Sequence, residues 1–404
     1  MSLYKPKSCL HIFSKQHILR QLNYVNYRKF CKDEKPTDTP LKNLLENAAS
    51  FEDAKPQVPE DEWATLPYPE GAKINRDQSA KALRPSLDPR ETSIICFPGQ
   101  GNQFVGMGKN LYKYPLVKDM FEMANDILKY DLKKICFQGP QSELNKTVHC
   151  QPATFITSLA ALEKLKEERP NAIDSCVATA GYSLGEITAL VFAGAIPFDK
   201  GLRLVQIRAE AMQMASEMVS GGMMVVMYGP DSKIGKACLD AIEHCKTKDL
   251  EHIDCRIASF MYPHCKVIAG NTEALQFIEE HMKDYKIRRV KKVQVSGAFH
   301  TQLMLPAIEP FKKALKKITL ELPIIPVYSN VDGKHYKNIT HIEKQLPKQI
   351  TNAVKWEQTL HILYERTQGK HFPRTFECGP GKSLTTILKQ VNAKAWDSCM
   401  NIEA

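Results

Sequence analysis

The sequence has no uninterrupted apolar run that approaches the about 18 residues of a membrane-spanning helix, although the chain is 404 residues long. It also lacks a Cys-x-x-Cys pair, so its 12 scattered cysteines form neither a zinc nor a redox motif. We expect reduced thiols in a reducing compartment rather than disulfides. These absences exclude a transmembrane helix and a small disulfide-linked secreted domain.

Acidic residues are missing from positions 1–32, which hold seven Lys or Arg. A basic, serine-containing segment without acids is typical of a mitochondrial transit peptide, with cleavage near Cys31; the alternative is an ordinary disordered basic tail. Without these seven residues the chain has 48 basic and 45 acidic residues, so the net charge falls from +10 to +3. The charge of the body therefore does not indicate nucleic-acid binding.

Residues 33–90 are rich in Pro, Asp, Glu and Lys, and we expect an N-terminal arm or linker there. From Glu91 onwards, apolar strand-like runs alternate with segments of helical spacing. The predicted strands are 92–97 and 176–180, and the predicted helices are 111–128, 152–167, 184–193 and 201–218. The alternation predicts an α/β core with a mostly parallel sheet, formed by residues 91–219 and 297–396 and followed by a C-terminal tail, 397–404.

Residues 220–296 have a different order of elements. Strands are predicted at 223–228, 255–261, 265–270 and 288–295, and helices at 232–245 and 272–283. This strand-helix-strand-strand-helix-strand order predicts a ferredoxin-like small domain inserted in the core.

One serine stands in the context of a nucleophile elbow. The string Gly-Tyr-Ser-Leu-Gly, residues 181–185, follows a predicted strand of small residues and opens a helix. Its glycines permit a sharp turn, and Ser183 comes at a helix N-terminus, where backbone amides lack partners. The context favours a nucleophilic serine over a chance match.

A serine nucleophile needs a base, and His300 is the best placed of the 12 histidines. It follows the predicted strand 288–295 and precedes an amphipathic segment, so it falls where the two domains meet. The competing interpretation is a buried structural histidine. Arg208 lies on the apolar stripe of helix 201–218, where it needs an anionic partner. The residues alone leave open a nearby Glu or a substrate carboxylate held bidentately.

The glycine-rich segment 97–103 fails the nucleotide-binding templates. A G-x-G-x-x-G motif would need glycine where Phe104 stands, and a Walker A loop would need lysine where Met107 stands. A loop that offers backbone amides to an oxyanion fits better. We expect no metal site either, because the candidate ligands are irregularly spaced in or beside strands: His252, Cys255, His264 and Cys265.

Several motifs occur in the order found in one enzyme family. They are FPGQGNQ (97–103), HCQPA (149–153), GYSLGE (181–186), IRAEAMQ (207–213), VSGAFHT (295–301), YSNV (328–331), VKW (354–356) and ECGPG (377–381). From about residue 89 to 396 the chain resembles the malonyl-CoA:acyl carrier protein transacylases, most closely their mitochondrial animal form.

The resemblance implies a role for each matching catalytic position. Ser183 would take the malonyl group as an ester, and His300 would act as general base and acid. Gln349 matches the position whose oxygen orients the histidine in this family, so no aspartate is required. The backbone amides of Gln100 and Leu184 would form the oxyanion hole.

The substrate-binding positions are also implied by the resemblance. Arg208 would bind the free malonyl carboxylate, with Gln151 and Met212 beside it. Phe299 belongs to a loop that resembles the malonyl-selective version in polyketide acyltransferases, which favours malonyl over methylmalonyl groups. Ser259 departs from the family, which usually has Asn there, and this puts one polar contact near the cleft in doubt.

The resemblance implies a complete function. The protein would transfer malonyl groups from malonyl-CoA to the phosphopantetheine thiol of acyl carrier protein by ping-pong chemistry, without a cofactor. We expect a monomer in the mitochondrial matrix that supplies fatty-acid synthesis, with basic clusters available to dock an acidic carrier. The alternatives are a serine esterase or thioesterase of the α/β-hydrolase type, and a catalytically inactive carrier-protein scaffold.

Overall fold

The structure is a computed structural model that describes residues 87–248, 250–365 and 371–404. The expected transit peptide (1–32), and the expected arm up to residue 86, lie outside the described residues. In the part of the chain that is described, no helix combines the length and the apolar composition needed to cross a bilayer.

The strands, in chain order, are β1 (Ser93–Phe97), β2 (Cys176–Gly181), β3 (Gly221–Tyr228), β4 (Cys255–Tyr262), β5 (Cys265–Asn271), β6 (Ile287–Lys292), β7 (Val327–Tyr328), β8 (Val354–Lys355), β9 (Arg374–Gly379) and β10 (Cys399–Glu403). The α-helices are α1 (Pro115–Leu128), α2 (Leu132–Gln138), α3 (Gln141–Asn145), α4 (Thr147–Glu168), α5 (Pro170–Asp174), α6 (Leu184–Phe192), α7 (Phe198–Met218), α8 (Ile234–Lys246), α9 (Thr272–Glu280), α10 (Ile308–Lys316), α11 (Ile339–Lys348), α12 (Trp356–Tyr364), α13 (Ser383–Val391) and α14 (Ala393–Trp396). Short 3-10 helices cover Pro89–Glu91 and Gln302–Ala307.

The first sheet has the strand order β10-β9-β1-β2-β7, and each of these pairings is parallel. Every residue of β1 and β2 is buried, as expected for central strands covered by helices on both faces. Helices α4 and α6 pack against this sheet. The predicted α/β class with a mostly parallel sheet is confirmed.

The second sheet is mixed, with the order β6-β3-β5-β4-β8. Its first four strands pair antiparallel, and β8 joins β4 in parallel. Alternation along β3 gives the sheet two different faces. Met224 and Val226 pack into a core with α8 and α9, whereas Met223 and Val225 face a cavity on the other side.

Helix α4 begins earlier than the sequence predicted. The proline at position 152 suggested a start there, but the helix starts at Thr147 and runs through Pro152. A proline has no N–H to donate to the carbonyl four residues before it, here that of Val148. The Tyr130 hydroxyl donates to this carbonyl at 3.1 Å. A distant side chain therefore replaces the missing helical hydrogen bond.

Two predicted segments differ near their ends. Strand β6 stops at Lys292 rather than at Val295, although the Val293 N–H still donates to the Met223 carbonyl of β3 at 2.9 Å. Val293 and Val295 both line the cavity, and this contact explains their apolar alternation. The expected C-terminal tail contains strand β10, which pairs with β9 in the first sheet. Ile402 of this strand is buried in the main core, which explains why the segment is ordered.

Candidate active site

Ser183 lies between the end of β2 and the first residue of α6, with φ 52° and ψ −106°. The two glycines beside it are required by close packing. A Cβ at Gly181 would lie 1.8 Å from the backbone of Gly185, and a Cβ at Gly185 would lie 2.2 Å from the Phe97 carbonyl oxygen. The turn therefore packs tightly against β1 and directs the serine to the carboxyl end of the parallel sheet.

Two amide side chains hold the backbone of Ser183 in this conformation. Its N–H donates to Asn330 Oδ1 at 2.6 Å, and its carbonyl accepts from Gln349 Nε2 at 2.8 Å. Positive φ at a non-glycine residue costs about 1–3 kcal/mol and persists only when the surroundings fix it. These two contacts supply that constraint.

His300 lies within hydrogen-bond distance of the serine hydroxyl. Its Nε2 is 2.9 Å from Ser183 Oγ, and its Nδ1 is 2.6 Å from the Gln349 carbonyl oxygen. A carbonyl only accepts, so Nδ1 carries the proton and Nε2 can accept from the serine. Burial, and then the nearby Arg208 cation, lower the pKa of His300 to about 4. The imidazole is therefore neutral at pH 7, as a base must be.

Arg208 is a buried cation, with 1% of its surface exposed. Its Nη1 donates to Gln151 Oε1 at 2.7 Å, and its Nη2 donates to Gln349 Oε1 at 2.8 Å and Ser183 Oγ at 3.0 Å. All three acceptors are neutral, and its Nε has no partner among the described residues. Burial lowers the pKa of Arg208 to about 10, so the group stays charged at pH 7. A desolvated guanidinium of this kind is a binding site for a carboxylate.

A cavity of about 180 Å³ opens onto these groups. Its apolar wall comes from the second sheet and the segment after β6: Val225, Val267, Val293 and Val295. The structure also places most of the expected site residues on its lining: Gln100, Gln151, Ser183, Arg208, Met212, Phe299 and His300. Leu184 directly follows Ser183 in the sequence, and Gln349 donates a hydrogen bond to the Ser183 carbonyl.

The two expected oxyanion donors come from neighbouring turns. Leu184 is the first residue of α6, and the first amides of a helix have no partner within it. Gln100 follows β1 in the loop that packs on the serine turn. A Cβ on the adjacent Gly99 would lie 2.6 Å from the Tyr182 carbonyl oxygen. This close approach brings the Gln100 loop beside Ser183.

Three residues of the site had no assigned role in the sequence analysis. Glu186 lies in the motif GYSLGE and Asn330 in the motif YSNV, so both could have been chosen as site candidates from the sequence. Tyr336 lies outside these motifs, and nothing in the sequence indicated its role. The Tyr336 hydroxyl donates to Glu186 Oε1, and the Asn330 Nδ2 donates to the Gly181 carbonyl. Ser259, where the family usually has Asn, is buried. Its Oγ donates to the Val354 carbonyl oxygen at 3.4 Å, where β4 pairs with β8.

Comparison with known proteins gives the class of protein first. The family model described as the acyl transferase domain matches residues 95–371. A protein of Drosophila melanogaster, "Probable malonyl-CoA-acyl carrier protein transacylase, mitochondrial", is 60% identical over 321 residues, which cover 80% of this chain and 85% of the relative. The human protein "Malonyl-CoA-acyl carrier protein transacylase, mitochondrial" is 50% identical over 310 residues, 77% of this chain and 80% of the relative.

A solved structure that resembles this chain carries a name from the same family. The crystal structure of acyl-carrier-protein-S-malonyltransferase from Bartonella henselae is 29% identical, covers 78% of this chain and 96% of its own, and superposes with a TM-score of 0.69. The chain belongs to the malonyl-CoA-acyl carrier protein transacylase family of acyl transferases.

Proposed function

We propose that this protein transfers a malonyl group from malonyl-CoA to the phosphopantetheine thiol of acyl carrier protein. Family membership supports the reaction, and the relatives' names supply the two substrates. Ser183 is the proposed nucleophile and His300 the proposed general base and acid. The Gln349 carbonyl fixes the His300 tautomer. The amides of Gln100 and Leu184 are proposed to bind the oxyanion.

The chemistry proceeds in two balanced halves. Ser183 Oγ attacks the thioester carbonyl while His300 Nε2 takes its proton, and the tetrahedral oxyanion is stabilised by preorganised amides. The C–S bond then breaks, and His300 returns the proton to the departing CoA thiolate. In the second half the carrier thiol gives its proton to His300 and attacks the malonyl-serine ester. The bond between the acyl carbon and Ser183 Oγ then breaks, and His300 returns the proton to Oγ, which regenerates Ser183 and neutral His300.

The observation that carries this proposal is Arg208, a buried cation whose Nη2 lies 3.0 Å from the serine oxygen. An acyl group on Ser183 that ends in a carboxylate would meet this guanidinium directly. An ordinary esterase has no use for such a cation. The triad of an α/β-hydrolase would also need a carboxylate on His300 Nδ1, where this protein has a backbone carbonyl.

The finer features of the fold are part of the proposal. We propose that the turn at Ser183 is a nucleophile elbow, supported by its position between a parallel strand and a helix. We also propose that residues 220–296 form a ferredoxin-like insertion in a core of 91–219 and 297–396. The strand order β6-β3-β5-β4 supports this, because it is the fourth-first-third-second order of that pattern.

We place the reaction in the mitochondrial matrix, in fatty-acid synthesis. The two relatives named above are mitochondrial, and the acid-free basic segment 1–32 has the composition of a matrix-targeting peptide. We also propose that the enzyme acts as a monomer.

The test is the intact mass of the protein after brief exposure to malonyl-CoA. The parent should carry one malonyl adduct, which Ser183→Ala should lack. Arg208→Ala should slow acylation roughly 100-fold, because about 3 kcal/mol of charge-assisted hydrogen bonding is lost. Arg203→Ala is the matched control, since Arg203 is exposed on the same helix and should leave the rate unchanged.

Addition of phosphopantetheinylated carrier protein completes the test, because it should discharge the adduct and itself gain the malonyl group. Free malonate that accumulates without transfer would instead favour a hydrolase. A parent protein that forms no adduct and no product would favour the scaffold.

A further inference from the structure

Glu186 is a fully buried carboxyl group three residues after Ser183, in the first turn of α6. It does not line the cavity formed by the described residues. Its Oε1 accepts from the Tyr336 hydroxyl and the Asn330 backbone N–H, and its Oε2 accepts from Gln349 Nε2. Three hydrogen-bond donors therefore converge on one buried carboxyl group. The reaction proposed above gives this group no role.

Two of these donors belong to the residues that hold the serine. Asn330 accepts from the Ser183 N–H, and Gln349 donates to the Ser183 carbonyl. Glu186 therefore connects both supports of the strained serine through one carboxyl group. The same group lies close enough to Arg208 to favour its charged form.

The Gln349 side chain can serve its neighbours in only one orientation. Ionised Glu186 and the Ser183 carbonyl can only accept, so both require Nε2 of the amide. Arg208 can only donate, so it requires Oε1, which lies 2.8 Å from Nη2. The carboxylate of Glu186 and the Ser183 carbonyl therefore hold Nε2 together, which leaves Oε1 to the guanidinium.

We propose that Glu186 is a positioning residue that acts through Gln349: it fixes the amide with Oε1 towards Arg208 and thereby sets the preference for acyl groups that carry a free carboxylate. The proposal rests on the malonyl transfer proposed above. It assigns the selectivity of the site to a residue that never touches the substrate.

The substitution Glu186→Gln tests the orientation directly. The new amide can accept from Tyr336 and Asn330 with its oxygen, but its Nε2 then faces Gln349 Nε2, and two donors oppose each other. If Gln349 turns over to relieve this conflict, its Nε2 faces Arg208 and the guanidinium loses its acceptor. In the first case repulsion between the two Nε2 atoms shifts the Gln349 side chain, and in the second the acceptor atom for the guanidinium is lost. Both cases weaken the contact with Arg208 and leave the Gln349 backbone carbonyl on His300.

A purely structural role predicts a different result. Loss of a buried network would lower stability and slow every acyl donor by a similar factor. A role through Gln349 instead changes the ratio of the malonyl rate to the acetyl rate, because acetyl groups make no carboxylate contact with Arg208. The ratio therefore separates the two explanations.

The experiment measures Ser183 acylation by malonyl-CoA and by acetyl-CoA, from quenched samples and intact mass. The variants are Glu186→Gln, Gln349→Met and the double variant, with the exposed Glu210→Gln as matched control. Assays run at about pH 8, above the pKa of about 7 that burial gives Glu186, so the carboxyl is ionised. Thermal unfolding verifies that each variant folds.

We expect Glu186→Gln to lower the malonyl rate roughly tenfold, the scale of one charge-assisted hydrogen bond, and to change the acetyl rate by less than about threefold. Gln349→Met should lower the ratio similarly, and the double variant should lower it no further than the larger single effect. Glu186→Asp, measured alongside, keeps the charge with a shorter reach. It should lower the ratio by a smaller factor, which also tests the proposal if Glu186→Gln does not fold.

Equal slowing of both donors in Glu186→Gln, or an unchanged ratio in the folded Glu186→Asp, would overturn the proposal. Effects of Glu186→Gln and Gln349→Met that multiply in the double variant would do the same. A parent protein that takes no malonyl group would instead contradict the proposed function itself, so the two failures are distinguishable.

Discussion

At the scale of single residues, Ser183 and His300 share an unusual backbone conformation, with φ of 52° and 64°. The sequence alone could single out both residues as candidates for the site, because each lies in a recognisable motif. The contact that orients His300 was expected at Gln349 from the family resemblance alone, because it is made by a backbone carbonyl, and any residue at position 349 has one. Tyr336 could not be found for a related reason, since its contact with Glu186 spans 150 residues of sequence.

The ionisation of His300 gives a prediction at this scale. Only the neutral imidazole can take the serine proton, so the rate of acylation by acetyl-CoA should be flat above about pH 5 and fall as the pH drops through about 4. Because the Arg208 cation helps to lower this pKa, Arg208→Ala should move the fall to higher pH. The measurement is a pH profile of acylation by acetyl-CoA after short pH jumps.

Arg203→Ala again supplies the control and should keep the parental profile. A profile of Arg208→Ala that coincides with the parent would show that the cation does not act on His300.

At the scale of elements, periodicity and glycine positions predicted where most strands and helices occur, but several of their ends lay elsewhere. Proline was the main reason. Helix α1 was expected from residue 111 and begins at Pro115, where the fixed φ of proline suits the first turn. Helix α4 instead continues through Pro152, because Tyr130 supplies the hydrogen bond that proline cannot. Local sequence patterns cannot identify a hydrogen-bond partner that lies 18 residues from the carbonyl it serves.

Tyr130→Phe should therefore destabilise the protein by about 1 kcal/mol, since the Val148 carbonyl loses its donor. The control is the same substitution made in a Pro152→Ala variant. There the alanine N–H can donate to the Val148 carbonyl, so the loss of the tyrosine hydroxyl should cost less stability. Urea unfolding of the two single variants and the double variant measures both effects. An equal loss from Tyr130→Phe in both backgrounds would contradict this account of the helix.

At the scale of the whole molecule, each of the two sheets is completed by a strand from the C-terminal part of the chain. Strand β8 joins the second sheet from residues far beyond the predicted insertion, and β10 joins the first sheet from the segment expected to be a tail. Sequence predicted the α/β class because the βα alternation is local. It did not predict these additions, because strands of two to five residues have little periodicity and gain their order from distant partners.

Strand β10 gives a paired prediction. Ile402→Ala should destabilise the protein by about 2–4 kcal/mol because the side chain is buried in the main core. Met400→Ala on the same strand should cost less than about 1 kcal/mol, because 37% of Met400 is exposed. Thermal unfolding compares the two variants. Similar losses from both would mean that β10 contributes through its backbone pairing rather than through the buried side chain of Ile402.

The contact between Arg208 Nη2 and Ser183 Oγ has a kinetic meaning. In this structure the oxygen of the proposed nucleophile accepts a hydrogen bond from a cation, which makes it a poorer nucleophile. An incoming carboxylate draws the guanidinium to itself and releases the oxygen, whereas an acyl group without a carboxylate leaves the oxygen engaged. Wrong donors would thus bind and leave unreacted, so discrimination between acyl groups would be expressed in turnover more than in affinity.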